Sequence, residues 1–348
     1  MPPCPGRRAA LGLGVGALAT LALGACGIRL EDDAPHVPLV PTRKPIAGES
    51  FLVGLWRECG ALADAASALG GAPKALPSVL AGLHRDQSKV LREELRRLGV
   101  PASVLDEPTP TGTRTSAATS DPRIGTPTGP TSGATSGATG GATSGTPAAG
   151  PSDGPRGLAA LEGAAVSGAA FRSLAGAVTP AVPLFGAALA QRAGAATLLG
   201  GTVAWPDPTW QSPSLAMSFL ESTRAAAYGF QVVAAQSPTG AQRTLAGSTL
   251  EALQARVITQ EALAADAAGP PPLAYPLPFA VTTPAAARRL AVHLLTELRS
   301  AVARQLGSAG ASDGPLGSLV QWLAETEVLA SRWGVALQPF PGLVAPSQ

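Results

Sequence analysis

From Glu49 onward the apolar residues of this chain recur every three or four positions rather than every second one. That spacing lines one face of an α-helix, whereas a half-buried strand needs alternation. Leu52, Leu55, Trp56, Cys59, Leu62 and Ala63 form the first stripe, closed by Gly70-Gly71 and Pro73. Pro77 opens a second, with Leu80, Leu83, Val90, Leu91, Leu95 and Leu98, which Gly99-Val100-Pro101 stops. A third element begins at Leu158 and runs through Phe171 and Leu174 to Thr179-Pro180; a fourth spans about Val182 to Leu199. Beyond Trp205-Pro206-Asp207-Pro208 four more follow, over about 213–236, 239–267, 283–306 and 314–337. Thr283-Pro284 suits N-cap and first helical position of the third of these. The predicted fold class is all-α, with two up-and-down helical bundles.

Residues 106–156 interrupt the first bundle with Thr, Ser, Gly, Pro and Ala, including the degenerate repeat Gly133-Ala134-Thr135-Ser136-Gly137-Ala138-Thr139. Such a composition cannot bury enough apolar surface to offset chain entropy, so a disordered insert is expected. Lengthening a connection tenfold costs only about 2 kcal/mol, so the helices on either side can still pair. The first bundle is therefore assigned to 49–105 and 157–203, and the second to 207–343.

Ahead of the helices lies a segment with a different task. Arg7-Arg8 precede an uncharged run, Ala9 to Ala25, rich in Ala, Leu and Gly and ending in small residues. A positive flank, apolar core and small-residue end are the parts of a secretory signal. At 1.5 Å per residue the run is about 25 Å long as a helix, slightly short of a bilayer span, although an uncleaved anchor is the competing reading. Leu23-Gly24-Ala25-Cys26 resembles the lipobox of bacterial lipoproteins, which implies cleavage after residue 25 and diacylation of Cys26. Two acyl chains supply the double anchor that stable membrane attachment needs. The Arg7-Arg8 pair also looks like a twin-arginine export motif without its usual Phe and Lys, which leaves both export routes open. Residues 26–48, with Pro35, Pro38, Pro41 and Pro45, read as a flexible tether reaching between about 25 and 65 Å.

Charge narrows the partners. Of 25 basic residues, Arg7 and Arg8 leave with the signal, so 23 remain against 23 acidic ones. A neutral chain carries no electrostatic footprint for nucleic acid. With Cys4 removed and Cys26 acylated, Cys59 is the one cysteine left, and no intramolecular disulfide can form. Its neighbours Leu55, Trp56 and Leu62 favour a buried, inert thiol.

Four stretches carry a family resemblance: Ala227-Tyr228-Gly229-Phe230, Ala274-Tyr275-Pro276-Leu277-Pro278-Phe279, Thr283-Pro284-Ala285 and Ala330-Ser331-Arg332-Trp333. Together they resemble a ferritin-like domain of unknown function found in secreted actinobacterial lipoproteins. The resemblance covers a little over a third of the chain. It implies a ferritin-like four-helix fold for the second bundle, preceded by an N-terminal helical region.

Ferritin-like di-iron bundles need carboxylates from four helices and two Glu-x-x-His steps. No Glu-x-x-His occurs here. His84 has Asp86 and Gln87 nearby but no glutamate one turn earlier, and His293-Glu297 reads as a helix pair. No metal, cofactor or catalytic residue is expected. The single Gly-x-Ser-x-Gly, at 310–314, follows a helix instead of a strand and so reads as a loop. Glu327 falls on the leucine stripe of the last helix, so it should face inward and require a partner. Tyr228 or Arg224 could provide one, and Glu221, Arg224, Tyr228 and Glu327 form the candidate buried polar cluster.

These readings converge on a non-enzymatic, lipid-anchored cell-envelope protein that binds or scaffolds, held to the membrane through Cys26. One alternative is a metal-dependent or redox enzyme whose ligands are Glu221, Glu251, Glu297 and Glu327. It requires at least three of those carboxylates to converge. Another is a binder of a small apolar ligand between loosely packed, alanine-rich helices, which requires an apolar pocket.

Overall fold

The computed structural model describes residues 43–107, 154–210, 213–309 and 312–343. Arg7, Arg8, Cys26 and most of the insert lie outside them. All regular structure among the described residues is helical. Helices α1 (Glu49–Ala68) and α2 (Leu76–Arg97) pack together as the expected hairpin, followed by a short α3 (Ala102–Asp106).

The continuous helix expected from Leu158 to Thr179 is instead two, α4 (Gly154–Ala164) and α5 (Gly168–Ala175). Ser167 breaks it: its backbone is extended, at φ −151° and ψ 160°, and its hydroxyl accepts from the Ala170 N–H at 3.2 Å. Serine competes well at an N-cap and poorly inside a helix, so Ser167 starts a new helix within the expected one.

Helix α6 (Val182–Leu198) runs through the middle of the molecule. Every residue from Phe185 to Ala196 is buried, on all sides of the helix. It is packed by α10, α4, α5, α2 and α9. Its alanines and glycines are the reason such crowding is possible, because small side chains let neighbouring backbones approach closely.

The C-terminal helices are α7 (Pro213–Gln236), α8 (Ala241–Ala264), α9 (Pro284–Gln305) and α10 (Asp313–Arg332). Thr283 caps α9 as anticipated, its hydroxyl accepting from Ala286 N–H at 3.2 Å. Helix α7 packs on α8 and α9, and α9 packs on α10. A long connection links α8 to α9, the crossover of a ferritin-like bundle. At Gly229 an added Cβ would lie 2.5 Å from Leu294 Cδ1, so glycine there sets how closely α7 approaches α9.

The last helix was expected to reach residue 337. It stops at Arg332 because Gly334 takes φ 87° and Val335 N–H turns back to the Ala330 carbonyl at 3.0 Å, a Schellman ending. Residues 335–343 therefore fold back as a tail, with Phe340 buried.

One hydrophobic core joins the two helical groups. It contains Leu52 and Trp56 of α1, Phe171 of α5, Phe185 and Leu189 of α6, and Phe219, Leu290 and Leu323 of α7, α9 and α10. A smaller cluster of Leu62, Leu80, Leu83 and Leu158 fills the far end of the first group.

Candidate binding groove and buried charge networks

Arg224, 6% exposed, organises one side of the C-terminal bundle. Its Nε and Nη2 donate to Glu261 Oε1 at 3.1 and 2.7 Å, and its Nη1 donates to Glu221 Oε1 at 2.9 Å. The remaining N–H groups reach the Ala268 and Gly269 carbonyls at 3.1 and 2.9 Å. Burial works against its charge, but the two carboxylates outweigh it and raise the guanidinium pKa. One side chain thus ties α7 to α8 and to the turn that ends α8. In that turn Ala265 has φ 47° and ψ −134°, the one non-glycine positive φ among the described residues.

The turn leads into Pro270-Pro271-Pro272 and on to Tyr275. The Tyr275 hydroxyl donates to Glu221 Oε2 at 2.9 Å, and burial together with that bond pushes its phenol up to about 12. Its ring stands 5.8 Å from the Tyr228 ring, tilted by 52°. The result is an open groove of about 460 Å³ lined by Arg224, Tyr228, Gln231, Val257, Ile258 and Tyr275 among others. Ile258 is 68% exposed, and Leu273 is fully exposed on the adjoining loop.

Of the four residues grouped by the sequence, Glu221, Arg224 and Tyr228 meet at this groove, and Glu327 does not join them. Glu327 is buried and receives Arg299 Nη1 at 2.8 Å and the Gln338 N–H at 2.8 Å. Its partner therefore comes from α9 and from the tail, not from Tyr228 or Arg224. Burial pushes its carboxyl above the usual range, against the opposite pull of Arg299.

A second polar network occupies the first helical group. His84 Nε2 lies 2.6 Å from Glu162 Oε1, with both side chains fully buried. Gln87 Nε2 donates to Gln191 Oε1 at 3.1 Å and to the Pro339 carbonyl at 2.6 Å, which fixes the orientation of its amide. Its Oε1 therefore faces His84 at 2.8 Å and accepts from Nδ1–H. The His84 Nε2 to Glu162 Oε1 contact then joins α2 to α4 through a hydrogen bond between two buried side chains. Arg192 Nε stands 3.8 Å from Glu162 Oε2, while its Nη1 bonds Glu58 at 2.5 Å. Cys59 is buried, and burial pushes its thiol up to about 12. The tail joins this network to that of Glu327, since Gln338 and Pro339 contact one each.

The carboxylates proposed as metal ligands do not converge. Glu251 and Glu297 are exposed, Glu221 sits at the groove and Glu327 is buried against Arg299. Among the described residues no three His, Cys, Asp or Glu side chains are placed to hold a metal ion. His293 faces Phe279, with ring centroids 6.4 Å apart. Ser312 directly precedes α10, with Gly310 and Ala311 outside the described residues.

Sequence reasoning missed Glu162, Arg192, Arg256 and Arg299 as interior residues. Spacing gave a usable signal for Arg299, which falls one residue after Leu298 on the buried face of α9. Glu162 had none, because its partner His84 lies across the insert.

Residues 216–345 match a family described as a domain of unknown function (DUF4439), of ferritin-like type. No curated protein and no solved structure matches the chain. The matched stretch takes in α7 to α10 from Ala216 and the tail, so the groove, Arg299 and Glu327 all lie within the part of the chain that is similar to this family.

Proposed function

We propose that this is a lipid-anchored, extracytoplasmic binding protein, held to the membrane by acyl chains on Cys26 and engaging a partner through the α7–α8 groove. The anchor reading is supported by Leu23-Gly24-Ala25-Cys26 at the end of the apolar run. One observation carries the binding reading. Ile258, 68% exposed, lines this groove beside Arg224, Tyr228 and Tyr275, and Leu273 is exposed on the loop between Pro272 and Tyr275. Exposed apolar groups gathered beside polar ones are typical of an interaction site. The local charge is one Arg224 against Glu221 and Glu261, a net negative rim. It suits a protein segment that offers an apolar anchor beside a basic side chain.

A photo-reactive amino acid at position 258, introduced in intact cells, should give a discrete adduct. The same group at the exposed Arg96, on α2 of the first helical group, should not. In parallel, Cys26→Ser should move the protein from the membrane to the soluble fraction. Equal labelling from both positions would sink the groove, and unchanged membrane retention would sink the lipid anchor.

A further inference from the structure

Helices α8 and α10 are not packed backbone to backbone, as the other neighbours in the bundle are. Side chains bridge them instead. Arg256 Nη1 donates to Thr326 Oγ1 at 2.7 Å and Nη2 to Glu325 Oε2 at 3.0 Å, while Trp333 Nε1 donates to Thr249 Oγ1 at 3.1 Å. Two cavities open on this gap, of about 450 and 170 Å³, and Ala252, Arg256 and Glu325 line both. The guanidinium thus divides a single cleft into two lobes. Trp322 walls the larger lobe and Trp205 the smaller.

Arg256 is 4% exposed, and its Nε has no hydrogen-bond partner. On a guanidinium, Nε and Nη2 point the same way and form a fork that matches the two oxygens of a carboxylate. Glu325 fills only the Nη2 arm, because its other oxygen is turned to Gln321 Nε2 at 2.9 Å. The Glu325 side chain is 42% exposed, so solvent can take over its contacts when another carboxylate displaces it. Burial lowers the Arg256 pKa despite Glu325, as expected of a buried cation that is incompletely compensated.

We infer that the α8–α10 cleft binds a small organic carboxylate, its head on the Nε/Nη2 fork of Arg256 in place of Glu325 and its apolar body along Trp322. A carboxylate is the better match because its two oxygens fit the two parallel N–H groups of that fork, whereas the hydroxyls nearby have used their donors. Thr259 Oγ1 already donates to the Ala255 carbonyl at 3.2 Å and Ser318 Oγ to the Gly314 carbonyl at 3.3 Å. A third phosphate oxygen would have only the Gln321 amide to turn to and no second cation among the residues lining the larger lobe. The larger lobe has the size of a small-molecule site. This site is separate from the Tyr228–Tyr275 groove and does not depend on partner binding there.

The test titrates octanoate, octanol and inorganic phosphate into the purified protein by calorimetry. Octanoate should bind the unaltered protein, with octanol and phosphate at least tenfold weaker. Glu325→Ala removes the competing carboxylate, so octanoate should bind it at least tenfold more tightly. The melting temperature of that variant should fall and recover on adding octanoate but not octanol. Arg256→Lys keeps the charge without the fork and should bind octanoate at least tenfold more weakly at an unchanged helical content. Octanol binding as well as octanoate, undiminished affinity in Arg256→Lys, or no gain in Glu325→Ala would each overturn the inference.

Discussion

The Arg299–Glu327 pair gives the sharpest test of how this interior is held. Both side chains are no more than 4% exposed, at 2.8 Å, and Glu327 has only the Gln338 N–H as a second donor. A buried ion pair gains little over a well-packed apolar pair, but removing one partner strands the other charge at a cost of about 3–5 kcal/mol. Arg299→Met should therefore lower stability by about that amount at pH 7.5, or roughly 10 °C in melting temperature.

The loss should also depend on pH with a definite sign. Burial already holds the Glu327 pKa above its ordinary value while Arg299 pulls it down. A carboxyl raised on folding contributes stability that is complete below its unfolded value, about 4.3, and is lost as pH rises through the folded value. Without Arg299 the folded value rises further, so the deficit should shrink on acidification as Glu327 takes up a proton. The slope is at most about 1.4 kcal/mol per pH unit for one proton. Urea unfolding followed by circular dichroism at pH 4.5, 6 and 7.5 reads this directly as the difference between variant and parent. Arg299→Met/Glu327→Leu should recover most of the loss. A deficit independent of pH, or a double variant as unstable as Arg299→Met, would refute the reasoning.

Three further outcomes follow from single contacts. Ala265→Gly should raise the melting temperature, since relieving a positive φ worth about 1–3 kcal/mol exceeds glycine's entropic cost of about 0.5–1 kcal/mol at this exposed site. Cys59, with its thiol pushed up to about 12 by burial, should resist a disulfide reagent at pH 8 until urea is added, its thiolate fraction being ~10³-fold below that of a free thiol. Glu162→Leu removes the carboxylate that faces both His84 and Arg192 and should cost about 3–5 kcal/mol in urea unfolding.

The helices were legible because their stripes and punctuation are local. Thr283-Pro284 marks the start of α9, and Pro213 to Gln236 is read without error. What failed was decided by single residues with two uses. Ser167 could face solvent within a helix or cap a new one, and only the fold around it selects the cap. Gly334 could be a tolerated helix glycine or a left-handed stop, and the tail's contacts with Glu327 and Gln87 depend on the stop. The site was half legible for the same reason. Glu221, Arg224 and Tyr228 lie on one face of α7 and were grouped through the family resemblance and as partners for Glu327. The partners of Glu327 and His84 come from elements 28 and 78 residues away, where periodicity carries no information.

The interior charges also say where activity can lie. Helices α7, α8 and α9 each carry a buried arginine: Arg224 pairs with Glu221 and Glu261, Arg256 with Glu325 and Thr326, and Arg299 with Glu327. A ferritin-like metal centre needs the reverse, carboxylates from all four helices around a shared cation. Three buried guanidinium groups repel a divalent ion and already occupy the carboxylates that would hold it. The bundle thus keeps its architecture while arginine–carboxylate pairs link its helices, with Arg299–Glu327 the pair that is buried on both sides. Two of those arginines also border the open features of the domain, Arg224 at the tyrosine groove and Arg256 at the α8–α10 cleft. The binding proposed above accordingly lies on the bundle's faces, where each of these two arginines both braces the helices and shapes the surface beside it.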